Sequence, residues 1–259
     1  MPSPAPMPVV FAAHGAPPLL DDEGWVAELA AWARAMPRPK AVLVVSAHWE
    51  ARPASLGATT PVPLVYDFYG FPERFYRMTY AAPGAPELAK RIEALFASRG
   101  IASTRDAGRG LDHGAYVPLM CMYPEADVPT LQLSLPSLAS AELFAMGQAL
   151  APLAGEGVLI FGSGFLTHNM RYAFKPGTPA WATEFDAWCA EAIARHDVDA
   201  LLDFRNKGPN AATALPTVEH FVPLLVAVGA VAERRPAVSF PITGWWMDGA
   251  FTRRSVQLG

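Results

Sequence analysis

The stretch Val42-Leu-Val-Val-Ser-Ala-His48-Trp49 decides the fold. Val42 to Val45 is an unbroken apolar run rich in β-branched residues, the pattern of a strand covered on both faces. Ser46 and Ala47 are small enough for close backbone approach, and His48 follows at the strand's C-terminal edge. That edge is where open α/β sheets bind their ligands. The arrangement recurs twice. Pro8-Val-Val-Phe-Ala-Ala-His14-Gly15 is an apolar run ending in an imidazole, and Val158-Leu-Ile-Phe-Gly-Ser-Gly-Phe-Leu-Thr-His168-Asn169 is a third. Three strand-like runs that each deliver a histidine point to one convergent site.

Helical spacings lie between these runs. Asp22 to Met36 places Trp25, Leu29 and Trp32 on one face, and Pro37 and Pro39 stop it. Pro86 to Arg99 carries its proline in the first turn and ends at Gly100. Pro129 to Leu135 alternates like a strand. Ala141 to Ala151 and Ala180 to Arg195 read as helices, residues 205–217 as a polar loop, and Val218 to Val231 as a buried helix. Residues 51–85 are rich in proline and aromatics and read as a long insertion of the kind that shapes a neighbouring site. Strands alternating with helices predict an α/β fold with a central, mostly parallel (mixed) sheet and helices on both faces. No linker, repeat or composition shift divides the chain, so residues 1–259 are expected to form a single domain.

Composition narrows the function classes. Hydrophobic residues fill 52% of the 259 positions and charged ones only 17%, which excludes a disordered chain. A net charge of −4 gives no reason to expect nucleic acid. No apolar run reaches the length of a membrane span, so no membrane partner is expected. Met1 to Pro8 lacks the basic-then-apolar pattern of a leader, and a cytoplasmic location follows as the expectation. Cys121 and Cys189 obey no metal or redox spacing and read as reduced structural thiols.

The six histidines carry the functional signal: His14, His48, His113, His168, His196 and His220. A lone histidine is usually a surface or satisfied core residue. Here His14, His48, His113 and His168 sit beside small or turn-forming residues, and three of them close strand-like runs. That pattern reads as a shared metal or catalytic site. Imidazole suits zinc and non-haem iron, and the lack of a thiolate argues against a structural zinc site. Histidines beyond the ligands would serve as acid/base groups. His196, in Ala-Arg-His-Asp, reads as a helix C-terminal dipole partner. Asp112-His113-Gly114 admits two readings, an acid–imidazole pair or an Asx-type turn. Gly162-Ser-Gly lacks the spacing of a nucleophile elbow and is incomplete as a phosphate fingerprint.

Six segments taken together resemble the class III extradiol ring-cleavage dioxygenases, closest to their 4,5-DOPA dioxygenase extradiol branch. They are His14-Gly15-Ala-Pro-Pro, Ser46-Ala-His48-Trp49, Tyr66-Asp-Phe-Tyr-Gly-Phe-Pro72, Arg109-Gly-Leu-Asp-His113-Gly-Ala, Gly162-Ser-Gly-Phe-Leu-Thr-His168-Asn169 and Pro216-Thr-Val-Glu-His220-Phe. They occur in the family's order over nearly the whole chain. The resemblance implies a single extradiol-dioxygenase-like catalytic domain over 1–259, with a mononuclear Fe(II) that Zn(II) can replace in purified protein. It implies His14, His48 and His220 as metal ligands. Glu219 is the neighbouring alternative to His220, since adjacent side chains on a helix diverge by about 100° and only one can face a metal. It further implies His168 as the acid/base, close enough to count as a fourth ligand in a zinc form, with His113 assisting proton transfer or binding substrate.

The implied reaction takes a small aromatic diol, DOPA-like or related, and O₂. Which catechol is opened, the regiochemistry and the oligomeric state stay open. Tyr116, Asn169, Phe165 and the aromatic 66–71 segment are the expected substrate contacts, although aromatic clusters are often plain core. Two positions depart from the branch, Leu215 where a histidine is usual and Phe165 where a serine is usual. Both bear on the substrate rather than the chemistry. Two other readings compete: a zinc-dependent hydrolase using metal-bound hydroxide, and a non-catalytic metal- or ligand-binding relative.

Overall fold

The structure, a computed structural model, describes residues 5–259, so the start of the proline-rich N-terminal stretch lies outside it. The strands are β1 (Val9–Ala13), β2 (Ala41–Glu50), β3 (Ala54–Leu56), β4 (Ser103–Arg105), β5 (Thr130–Leu135), β6 (Val158–Gly164), β7 (Val238–Ile242), β8 (Trp245–Trp246), β9 (Phe251–Thr252) and β10 (Ser255–Leu258). Longer helices are α1 (Glu23–Ala35), α2 (Pro86–Ser98), α3 (His113–Met122) and α4 (Ser140–Leu150). After the single turn α5 (Pro152–Gly155) come α6 (Ala180–Ala194), α7 (Val198–Leu202), α8 (Phe204–Lys207), α9 (Ala211–Ala214) and α10 (Pro223–Val231).

Eight strands form one sheet in the order β4-β3-β5-β2-β6-β1-β10-β7, while β8 and β9 pair separately. The middle of the sheet, β5-β2-β6-β1, is parallel throughout. Antiparallel pairings of β3 with β5, β1 with β10 and β10 with β7 make the whole sheet mixed. Side chains alternate across it, as strand geometry requires. Val9, Phe11, Leu43, Val45 and Ile160 enter a core shared with α2, α4, α6 and α10. Val10, Ala12, Val42, Val44, Leu159 and Phe161 enter the opposite core with α1 and α3. All four residues of the Val42–Val45 run are fully buried, the two-sided covering that the continuous apolar run predicts. Among the described residues no helix is long and apolar enough to cross a membrane.

The sheet's order explains why the histidines converge. β6 lies between β1 and β2, with Ala13 in register with Gly164 and Ser46 in register with Ser163. His14, one residue past Ala13, and His48, two past Ser46, therefore flank the end of β6.

Three expectations need correction. His48 does not close its strand, because β2 continues to Glu50. The β2–β5 register shifts between Val45 and Glu50, while on the other side Ser46 still pairs with Ser163 of β6. Residues 205–217 are not a plain loop, since the one-turn helices α8 and α9 occupy much of them. The apolar helix starts at Pro223 rather than Val218, with residues 218–222 forming turns closed by bonds from Phe221 N–H and Val222 N–H to the Val218 carbonyl. Proline at its first position fits a helix start, where no N–H is needed. Glu219 and His220 are thus not helical neighbours.

Candidate active site

His14 leaves β1 and turns its ring into the molecule, only 1% exposed. Its Nδ1 lies 2.9 Å from Ser163 Oγ, and that hydroxyl donates its own proton to the Gly114 carbonyl. A hydroxyl has one proton to give, so Ser163 must accept from His14, which fixes the proton on Nδ1 and leaves Nε2 as a bare lone pair. His48 Nε2 stands 3.1 Å from His14 Nε2, and its Nδ1 lies 3.4 Å from Asp67 Oδ2. His220, from the turn before α10, donates through Nδ1 to Glu219 Oε1 at 3.0 Å; that carboxylate also accepts from Thr217 Oγ1 at 2.9 Å. His14 and His220 each have one ring nitrogen hydrogen-bonded to an oxygen, and His48 Nδ1 has the Asp67 carboxylate beside it at 3.4 Å. One ligand atom from each lies within 4.8 Å of the others.

Two further imidazoles complete the cluster. His168, in the loop after β6, lies flat on His220 with centroids 3.5 Å apart, held by its backbone N–H on the Ala214 carbonyl. Among the described residues neither of its ring nitrogens has a hydrogen-bond partner in the chain. His113 opens α3, its ring centroid 4.0 Å from that of His48, and its Nδ1 bonds Asp67 Oδ1 at 2.8 Å.

Glycines permit this crowding. A Cβ on Gly114 would stand 2.5 Å from Ser46 Oγ and 3.2 Å from His14 Nδ1, and one on Gly164 would stand 1.9 Å from the His220 carbonyl oxygen. The Gly164 approach lets Phe165 N–H bond that carbonyl at 2.8 Å, pinning the His220 turn to the end of β6.

Burial sets the electrostatics. It pulls His14 and His220 well below the ordinary imidazole range, with the neighbouring imidazoles pushing the same way. It brings His48 down to about 3, the His113 charge adding to it against Asp67, and His168 to about 4 against the pull of Glu219. His14, His48, His168 and His220 are therefore neutral imidazoles at physiological pH, the form in which histidine binds metal. Burial pushes Asp67 up, but hydrogen bonds and charge from His113 and charge from His48 outweigh it, and its carboxyl stays below its usual range.

A donor set of three neutral imidazoles fits a divalent metal. Two nitrogens bound to one ion at about 2.0–2.1 Å stand roughly 3.0–3.4 Å apart, which matches the 3.1 Å between His14 and His48. His14 and His220 also carry the oxygen partner on the far nitrogen that metal-bound histidines ordinarily have, and Asp67 stands near the far nitrogen of His48. Beside the cluster opens a cavity of about 250 Å³ with the five histidines on its floor and Phe68, Tyr69, Phe71, Phe165, Trp246 and Phe251 among its walls.

Of the expected substrate contacts, Phe165 lines this cavity, edge-on to His14 at 5.2 Å. Tyr116 does not. It is fully buried in the α1/α3 core, where a residue at that point of α3 faces inward. Asn169 is also off the cavity, its amide spent on the Thr213 carbonyl at 2.6 Å and on Arg171 N–H at 3.0 Å. Leu215 is buried in the other core. Asp112 resolves as the turn-forming alternative: it caps α3 by accepting from Ala115 N–H and binds Ser46, Gln132 and Arg109, not the His113 ring. The acid that pairs with His113 is Asp67, which sequence reasoning missed. Its one visible signal is that it is the only carboxylate inside the aromatic 66–71 segment. His196 lies apart from the cluster, with its Nε2 2.9 Å from the Pro236 carbonyl oxygen.

A mixed α/β sheet whose parallel edge gathers neutral imidazoles under an aromatic cavity defines a histidine-based metalloenzyme acting on a small aromatic molecule. The chain belongs to the LigB family, described as the catalytic LigB subunit of aromatic ring-opening dioxygenase, which it matches over residues 12–251. It is 45% identical over 235 residues to a 4,5-DOPA dioxygenase extradiol of Beta vulgaris, covering 88% of each chain. It is 35% identical to one of Escherichia coli K12 over 98% of this chain and 95% of that one. A crystal structure of an uncharacterized protein from Escherichia coli K12 superposes with a TM-score of 0.82 at 34% identity, covering 98% of this chain and all of the other. The activity class is extradiol opening of an aromatic ring, and the hydrolase and binding-module alternatives fall away.

Proposed function

We propose that the chain opens the ring of a catechol bearing a DOPA-like or related substituent, using O₂ at a mononuclear iron(II) held by His14, His48 and His220. The observation that carries this reading is the facing pair of Nε2 atoms on His14 and His48, 3.1 Å apart, with both Nδ1 atoms turned to oxygen partners. When bound, the metal supplies a site where the catechol oxygens and O₂ can be held side by side. The 4,5-DOPA dioxygenase names of the relatives support a DOPA-like substrate.

The remaining roles follow from position. Among the described residues neither ring nitrogen of His168 has a hydrogen-bond partner, and its neutral imidazole can take a proton from a catechol hydroxyl and return it later. His113 presents its Nε2, since Nδ1 is engaged by Asp67, and can hydrogen-bond a substrate oxygen. Phe165, Phe68 and Phe71 enclose the ring and exclude water, and Tyr69, 91% exposed, stands at the mouth. The stacking of His168 on His220 supports an acid/base role for His168 beside the metal. The catalytic unit spans the single domain, and a cytoplasmic location fits a soluble catechol and ferrous iron.

The experiment is anaerobic reconstitution with Fe(II), then O₂ uptake and visible absorbance with DOPA, protocatechuate and caffeate. A coloured ring-opened product with one O₂ consumed per catechol is the expected result. Stoichiometric iron with no O₂ uptake on any catechol would defeat the reading.

A further inference from the structure

Two of the five clustered imidazoles share one carboxylate, and the three residues come from three separate elements. Asp67 lies in the aromatic segment, His48 in β2 and His113 at the start of α3. Asp67 Oδ1 accepts from the His113 ring at 2.8 Å and from the His113 backbone N–H at 3.2 Å, while Oδ2 faces His48 Nδ1 at 3.4 Å. The Asp67 residue is exposed at the surface, but its side chain is turned inward and only 20% exposed. It also sits at the N-terminus of a ten-residue helix, where a negative charge is favoured.

An ionised carboxylate only accepts hydrogen bonds. Both contacts are attractive only if His48 and His113 each carry their proton on Nδ1. A neutral imidazole has one such proton, so Nε2 of a neutral His48 is bare, and in His113 the 2.8 Å bond leaves Nε2 as the nitrogen that Asp67 does not engage. Ser163 imposes the same form on His14 by a separate route. The 3.1 Å approach of His14 Nε2 to His48 Nε2 is then one lone pair facing another, an arrangement that a cation between them turns from repulsive to favourable.

We propose that Asp67 is a positioning residue that sets the tautomer of two imidazoles at once, making His48 a metal ligand through Nε2 and turning His113 Nε2 to the substrate cavity. The inference rests on the reading of His48 as a ligand. It also ties the cavity wall to the metal ligands, because Phe68 and Tyr69 follow Asp67 directly.

The test uses the full chain and zinc alone. In Asp67→Asn the amide keeps the shape but offers one acceptor and one donor. Two N–H groups of His113 hold the carbonyl end, so the NH₂ end faces His48 Nδ1 and drives its proton to Nε2, the ligand atom. The affinity for Zn(II), measured by competition with a chromophoric chelator, is expected to fall 10–100-fold. Asp67→Glu, which remains a pure acceptor, is expected to recover part of the loss. A role confined to holding the segment predicts the reverse order, with the isosteric Asn the milder change. Zinc affinity of Asp67→Asn within about twofold of the parent would overturn the proposal. Should the variants not fold, ¹⁵N–¹H correlation of the imidazoles in the zinc-free parent decides: Nδ1–H on both His48 and His113 is expected, and Nε2–H on either would overturn it. A parent chain that binds no zinc would instead defeat the metal reading and leave the tautomer measurement to judge Asp67.

Discussion

His168 lies against His220 with ring centroids 3.5 Å apart and planes 7° from parallel. His220 has Nδ1 on Glu219, while His168 has neither nitrogen engaged in the chain. The pair therefore divides into a tethered imidazole and a free one, and the first prediction follows from that division. His168→Ala should leave metal content near one per chain and lower turnover ~10²–10⁴-fold, the usual contribution of a positioned acid/base. Metal analysis beside O₂ uptake checks it; loss of metal together with turnover would make His168 a ligand instead.

His14→Ala and His48→Ala remove nitrogens that face each other across 3.1 Å. Each should weaken metal binding by more than ~100-fold, beyond the 10–100-fold typical of losing a supporting partner. Equilibrium dialysis with Zn(II) or Co(II) measures it. Retention of stoichiometric metal by either variant would remove that residue from the ligand set.

Ser163→Ala deletes the acceptor that keeps the proton of His14 on Nδ1. The buried imidazole can then place its proton on either nitrogen, and metal affinity should drop ~10–100-fold with the fold intact. Chelator competition and circular dichroism, run together, separate the two effects.

Acid should destabilise the metal-free protein. Burial holds His14 and His220 well below 6.5, His48 at about 3 and His168 at about 4. In the unfolded chain all four titrate near 6.5, so below that pH the unfolded state binds more protons and stability falls as pH falls. The loss begins near pH 6.5 and runs down toward the folded values at about 4 and about 3. Above about pH 7 these groups contribute no slope. Urea melts of chelator-treated chain at about pH 7.5 and about pH 5 test the sign; equal midpoints would contradict it.

Gly164→Ala places a Cβ 1.9 Å from the His220 carbonyl oxygen, an overlap that only backbone movement relieves. Overpacking of this kind costs ~1–3 kcal/mol. Here it also lifts the His220 turn from the end of β6, so both thermal stability and metal affinity should fall. A variant as stable as the parent with unchanged metal binding would show that the turn can shift freely.

Much of this molecule is local, and local features are legible in a sequence. The Val42–Val45 run and its counterparts at Val9 and Val158 state strands covered on both faces, because burial on both faces leaves a continuous apolar run that no half-exposed strand has. The imidazoles lie near those runs, His14 just past β1, His48 inside β2 and His168 four residues beyond β6. The positions of α1, α2, α4 and α6 follow from spacing and from prolines that cannot continue a helix; α3, which holds Pro118 in its interior, does not. The family's six segments, in order, carried the chemistry. Partners across the fold are another matter. Asp112 is next to His113 in sequence yet turns away to cap α3, while Asp67, 46 residues earlier, takes the ring. Glu219 and His220 are read as helical rivals for a metal, but outside a helix the carboxylate instead holds its neighbour's Nδ1. Tyr116 and Asn169 look like substrate contacts and are absorbed by core and loop. Sequence by itself determined the central strands, four of the longer helices and the imidazoles beside them, because those depend on neighbours a few positions away. Only the tertiary structure decided which acid meets which ring, because hydrogen bonds join atoms that are close in space, and a carboxylate's nearest donors are chosen by packing rather than by sequence separation.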